Sequence, residues 1–205
     1  MPSPSPGRSS WARRCAGLVL VLLVPMSLSA CRSGAEPSAA PERLSRNDDR
    51  ATLASHPVPT RTKIHRVHGP LPDARRKVVR TQVGEVVERW WDAAYLGGSY
   101  PRADFPSAFP GFTDGAEERA RADKALLTNQ TQGARIDSVT ARRRSLSLDI
   151  LATGKQARTV TARFVLRFDT SGEKTGTTTV RGRLFLVQKR GAWRIFGYDV
   201  AKGSK

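Results

Sequence analysis

Apolar residues recur at spacings of three and four in DARRKVVRTQVGEVVERWWDAAYLGG, at Val79, Val83, Val86, Val87, Trp90, Trp91 and Ala94. That rhythm makes one face of a helix. Asp73 is placed to cap its start, and Gly97 and Gly98 to supply a left-handed stop. At about 100° per residue Asp92 falls nearly opposite the apolar face, so it is expected in solvent. Tyr95 lies at the edge of that face, where its hydroxyl can reach water or a cavity. A second helix is predicted from near Asp114, with Glu117 in capping-box spacing, through Ala116, Ala120 and Leu127 to a stop before Gly133.

Beyond Gly133 the period becomes two. Ile136 and Val139 fall in a first strand. Leu146, Leu148 and Ile150 alternate with Ser145, Ser147 and Asp149, and Val160, Ala162, Phe164, Leu166 and Phe168 alternate with Thr161, Arg163, Val165 and Arg167. Val180, Leu184 and Leu186 follow in the same manner, and GAWRIFGYDVA forms the last strand. Arg142-Arg143-Arg144 reads as a turn. Short turns between consecutive strands predict an antiparallel meander. Its apolar face needs a cover, and the two helices are the cover on offer. The fold class expected is α+β, with N-terminal helices packed on a curved antiparallel meander, over residues 74–202.

The segment upstream has no such period. Residues 32–73 are dense in Pro, Ser, Ala, Arg and Asp, and such a composition does not bury enough surface to offset its ordering entropy. It reads as a disordered tether (31–73) with a root-mean-square reach of roughly 30–40 Å. Before it, Arg8, Arg13 and Arg14 precede an apolar run from Cys15 to about Leu28, too short and too Pro-broken to cross a bilayer and shaped like a secretory signal (1–30). The run ends in Leu28-Ser29-Ala30-Cys31, which resembles the lipobox of bacterial lipoproteins. The resemblance implies that the Cys31 thiol is lipidated, that the signal is cut just before it, and that the chain is anchored at the extracytoplasmic face of the cell membrane. More than one acyl chain gives stable anchoring.

Composition then excludes chemistry. The only other cysteine, Cys15, leaves with the signal, so the mature chain has no disulfide, no cysteine nucleophile and no zinc–thiolate site. The three histidines, His56, His65 and His68, all lie in the tether as drawn and read as solvated, which leaves the domain without a His triad or a His metal site. No cofactor and no metal site is expected.

Charge points to a partner. The chain carries +17; residues 74–205 hold 25 basic and 13 acidic groups, and residues 134–202 hold 15 and 5. Arg163, Arg167, Arg181 and Arg183 share the phase opposite the apolar face. Such a platform attracts anions with salt-sensitive strength. Outside the cell these are anionic lipid headgroups or acidic wall polymer, with an envelope protein as the other candidate partner. No recognition helix or RNA motif is present, so nucleic acid is not expected.

Paired tryptophans on a first helix, a second helix and a long antiparallel sheet ending in Gly191-Ala192-Trp193-Arg194-Ile195 resemble the NTF2-like superfamily over about residues 75–202. An anchor ahead of such a domain is similar to Mce-associated proteins of high-GC Gram-positive bacteria, and WWDAAYLGGSYPRADF is similar to stretches in secreted proteins of those bacteria. The 27 Arg against 8 Lys agree with such a source. The resemblance implies a cone-shaped pocket that serves enzymes, binding modules and scaffolds alike. A binding or scaffolding role is the first expectation. The alternative is an isomerase- or dehydratase-type enzyme acting on a small apolar ligand, for which Asp104 and Tyr95 are the available acid/base groups. The loop SYPRADFPSAFPGF decides what the cone holds. Tyr100, Phe105, Phe109 and Phe112 either plug it or rim an opening walled by Trp91, Tyr95 and Trp193; the plug is expected.

Overall fold

A computed structural model describes residues 58–205. Cys31, the signal 1–30, the tether up to residue 57 and His56 lie outside the described residues. The architecture is α+β, with an open, mixed five-stranded sheet of order β1-β2-β3-β4-β5 and a few helices. The strands are β1 (Arg61–His68), β2 (Ser138–Thr153), β3 (Gln156–Ser171), β4 (Gly176–Lys189) and β5 (Ala192–Ser204). The helices are α1 (Asp73–Trp91), α2 (Asp114–Ala122) and α3 (Lys124–Leu127). None of the helices described is long and apolar enough to cross a membrane.

β2 to β5 form an antiparallel meander in chain order, as the turns predict. The tether boundary at residue 73 does not hold. Arg61–His68 pairs in parallel with β2, from Arg61 beside Ser145 to His68 beside Leu151. The pairing slips between Ile64 and Arg66, which breaks the period of two after Thr62 and Ile64 and hides the strand in a Pro-flanked sequence. His65 and His68 therefore belong to the folded domain, contrary to the reading that it has no histidine.

Arg142-Arg143-Arg144 is not a turn. It lies inside β2, where the register shifts between Ala141 and Arg143, and an extra residue in one strand scrambles the alternation that marks a strand. Ile136 precedes β2 and is buried, so the two short strands expected around residues 136–150 are one long strand with a lead-in.

The predicted inward positions of α1 are all buried. Its ends differ from expectation. Pro72 occupies the cap position without a side-chain bond, and Asp73 instead pairs with Arg76 at 3.2 Å within the first turn. After Trp91 the helix widens into a π-helical turn over Asp92–Leu96, closed by Gly97 N–H donating to the Asp92 carbonyl at 2.7 Å. Gly97 is extended; Gly98, at φ +82°, makes the left-handed exit. The second helix breaks at Asp123 into α2 and α3. No side-chain cap bond forms at Thr113; Glu117 contributes its backbone N–H, which donates to the Thr113 carbonyl at 2.8 Å.

Aromatic rings join helix to sheet. Trp90 meets Phe164 of β3 edge-on at 5.4 Å, Tyr95 at 5.7 Å and Phe112 at 6.1 Å, and Trp91 stands 5.9 Å from Phe164. Edge-to-face pairs at such distances add to the area term. At the other end of the sheet Lys202 of β5 closes α3. Its Nζ donates to the carbonyls of Ala125 and, at 2.7 Å, of Thr128.

Burial pushes the Lys202 pKa down to about 8. The unfolded chain holds that proton until the ordinary lysine value, so from pH 8 to about 9, before the tyrosines of the unfolded chain ionise, the unfolded state binds more protons and folding stability rises with pH. Denaturation midpoints measured across that window should climb in the wild type. In Lys202→Met that climb should be absent, and a climb of the same size would show that another group causes it.

Candidate functional site

The alternation of β3 and β4 puts Arg163, Arg167, Arg181 and Arg183 on the face opposite the buried Phe164, Leu166, Val180 and Leu184. All four are exposed. Register brings them together. Arg163 lies directly opposite Arg183, Arg167 opposite Thr179, and Arg181 opposite Val165. From β2 a fifth cation, Arg143, lies opposite Arg167. From β1, Arg61 and Lys63 lie beside Ser145 and Ser147. The sequence alone does not single out these three, because two fall in the assumed tether and one in the assumed turn. The R-T-K-I alternation of residues 61–64 is the one local sign of the strand that carries the first two.

Like charges directly opposite across strands are destabilising. At Arg163/Arg183 the cost is offset on both sides. Asp149 accepts from Arg163 Nη2 and faces His65 Nδ1 at 2.8 Å, and Asp199 accepts from Arg183 Nη2 at 2.6 Å and Nε at 3.2 Å. The arginines in these pairs are exposed, and such pairs are worth about 0–1 kcal/mol. Arg142 is engaged in the same way, with Asp169 at 2.6 Å. The Thr177 hydroxyl, then Arg142, hold the Asp169 carboxyl below the usual carboxylate range. At Arg143/Arg167 no ion pair forms, and the offset is the longer-range attraction between Arg167 and the Asp169 carboxylate. Among the described residues, Arg61, Lys63, Arg143, Arg167 and Arg181 have no carboxylate within ion-pair distance.

Two hollows open on this face. One, of about 430 Å³, is lined by Arg61, Lys63, Arg143 and Arg163 with Ser145 and Ser147. The other, of about 380 Å³, is lined by Arg167 and Arg181 with Thr177 and Thr179. In both, long cations wall a floor that mixes small hydroxyl side chains with apolar ones, Val165 in the first and Ala201 in the second.

The aromatic candidates lie elsewhere. Trp91, Tyr95, Phe105, Phe109, Phe112 and Trp193 are buried, and Tyr100 is half-buried. The Tyr95 hydroxyl does not reach water. It donates to the Leu126 carbonyl at 2.9 Å, and burial pushes its pKa well above the tyrosine value. Asp104 is exposed and accepts from the Phe105 N–H at 2.7 Å. The two groups weighed as acid and base thus have different surroundings, one sealed in the core and one in solvent. Asp92 is exposed as expected, 3.5 Å from Arg144; burial raises its pKa more than Arg144 lowers it. Among the described residues no three His, Cys, Asp or Glu side chains are grouped to hold a metal ion.

Compared with protein-family models, curated proteins and solved structures, the chain matches none.

Proposed function

We propose that this protein is a lipid-anchored binding or scaffolding domain of the cell envelope, held at the extracytoplasmic membrane face through Cys31, whose outer sheet face takes an anionic partner. The domain is read as NTF2-like, with the helices in the hollow of a curved meander and the aromatic loop as its plug. The parallel edge strand β1 is a departure from that pattern. The observation that carries the reading is the weakly compensated charge: Arg143 lies opposite Arg167, Arg61, Lys63 and Arg181 share the face, and none of the five is in an ion pair among the described residues. A fold that retains like-charged neighbours gives up stability, and an anionic partner recovers it.

Neutralising Arg163, Arg167, Arg181 and Arg183 together, each to Gln, should lower binding to anionic vesicles or wall polymer by about 100-fold at low salt, because each cation removed leaves one set of counterions unreleased. Cosedimentation measures it, and equal binding by the wild type and the fourfold variant would rule out the face as the binding surface. The anchor has its own test. Mass spectrometry of the mature N-terminus should find acylated Cys31, and Cys31→Ala should leave the precursor uncut. A mature chain with an unmodified N-terminus ends the lipoprotein reading without touching the binding face.

A further inference from the structure

We infer that the hollow between β1, β2 and β3 is a phosphate-binding site, and that it seats one unit of a linear polymer of linked phosphates lying across the sheet. This rests on the reading of the outer face given above and names its subsite and ligand chemistry. Only the folded register creates the hollow. Parallel pairing sets Arg61 beside Ser145 and Lys63 beside Ser147, and antiparallel pairing sets Ser147 against Arg163. Serines on the middle strand leave a depression of about 430 Å³, and cations from three strands wall it. Of the four, only Arg163 has a carboxylate partner among the described residues.

Donors on three strands approach an anion from both sides, with the Ser147 hydroxyl and Val165 beneath it. A tetrahedral phosphate accepts from all these directions, whereas a carboxylate presents its lone pairs in one plane. The guanidinium fork suits phosphate oxygens in pairs. The second hollow, with Arg167 and Arg181, extends the track towards β5. β2 and β4 are two strand spacings apart, roughly 10 Å, so a chain of linked phosphates can occupy both hollows at once. A membrane surface fits less well. The exposed large apolar residues Val78, Leu151 and Phe196 line neither hollow, so the cations lack the apolar anchors that surface-bound proteins set beside their charge.

The test uses the full chain, immobilised, with sodium polyphosphate, poly-L-glutamate of matched length and phosphatidylglycerol vesicles as probes. Polyphosphate should bind at least about tenfold tighter than polyglutamate and should displace the vesicles. The double change Lys63→Gln with Arg143→Gln should weaken polyphosphate binding by about tenfold or more and flatten its salt dependence. Both side chains are exposed and Arg143 opposes Arg167, so the thermal midpoint should hold or rise, and a fall would mean that the loss of binding comes from damage to the fold. Arg142→Gln, on the same strand but bonded to Asp169 outside the hollow, should leave affinity within about twofold. Arg143→Lys should keep most of the salt slope and lose affinity, because the charge stays and the fork goes. Equal affinity for polyglutamate overturns the phosphate assignment. Vesicle binding that polyphosphate fails to displace overturns the polymer in favour of a membrane. If the double variant binds normally while the fourfold arginine variant does not, the hollow is wrong and the face stands. If no probe binds wild type at low salt, both fail.

Discussion

Phe105→Ala and Phe109→Ala are each expected to cost about 3–5 kcal/mol of folding stability, the range for truncating a buried phenylalanine. The two rings are 1% and 6% exposed. Phe105 lies under the Arg102 guanidinium, 3.9 Å from the ring centroid, and so close to Gly133 that a Cβ there would come within 3.2 Å of it. Phe109 packs on Phe112 at 5.4 Å, and Phe112 packs in turn on Trp90 and on Tyr198 at 6.2 Å. Backbone bonds tie this loop to β5: Ile195 N–H donates to the Gly111 carbonyl at 2.8 Å, and Thr113 N–H to the Ile195 carbonyl at 2.9 Å. The loop is part of the core, and removing a ring leaves a void that its neighbours are too constrained to fill. Urea denaturation reads the loss directly. A change within about 0.5 kcal/mol, typical of a surface site, would mean that the rings rim an opening.

Asn129 should be as sensitive, for a polar reason. The last carbonyls of a helix have no partner within it. Here the end of the π-helical turn is closed from outside. Arg102 Nη2 donates to the Ala93 carbonyl at 3.1 Å, Asn129 N–H to Ala94 at 3.0 Å, and both Asn129 Nδ2, at 3.1 Å, and the Tyr100 hydroxyl, at 2.7 Å, to Tyr95. Asn129 is fully buried. Asn129→Ala removes the side-chain donor to Tyr95 and should cost about 1–3 kcal/mol. Asn129→Asp is the sharper change. It sets a carboxylate against the Tyr95 carbonyl and should cost about 3–5 kcal/mol at neutral pH, as an unpaired buried charge does. The folded state would raise that carboxyl's pKa, so the penalty stands above the raised value and is relieved as pH falls through it. Stability of the variant that does not recover on acidification would show that the packing, not the charge, is at fault.

The parts of this fold legible in the sequence are those whose signal is local and unbroken. The inward stripe of α1 and the alternation of β3 and β4 carry their own periods, so the buried faces and the four outward arginines follow from spacing alone. Where a strand gains a residue, the period fails. The shifts at Ala141/Arg143 and Ile64/Arg66 make part of one strand read as a turn and another whole strand read as tether. β1 is hidden for a second reason. Its partner lies far along the chain, as the contact between His65 and Asp149 across 84 positions shows, and parallel pairing leaves no turn signature beside it. The cost falls on the site, because Arg61, Lys63 and Arg143 sit on those segments. The π-helical turn is illegible for a similar cause, since Asn129, Arg102 and Tyr100 supply from a distance the bonds that end it.

If the outer sheet face binds anions through charge, its affinity for wall polymer must fall with salt, and the arginines must set how steeply. The decisive measurement is that salt dependence, for wild type and for the variant with Arg163, Arg167, Arg181 and Arg183 changed to Gln. Log affinity should fall steeply with log salt for wild type. The slope should be smaller by roughly three in the variant, near 0.7–0.9 for each arginine removed. Identical slopes in the two proteins would contradict charge-driven binding by this face.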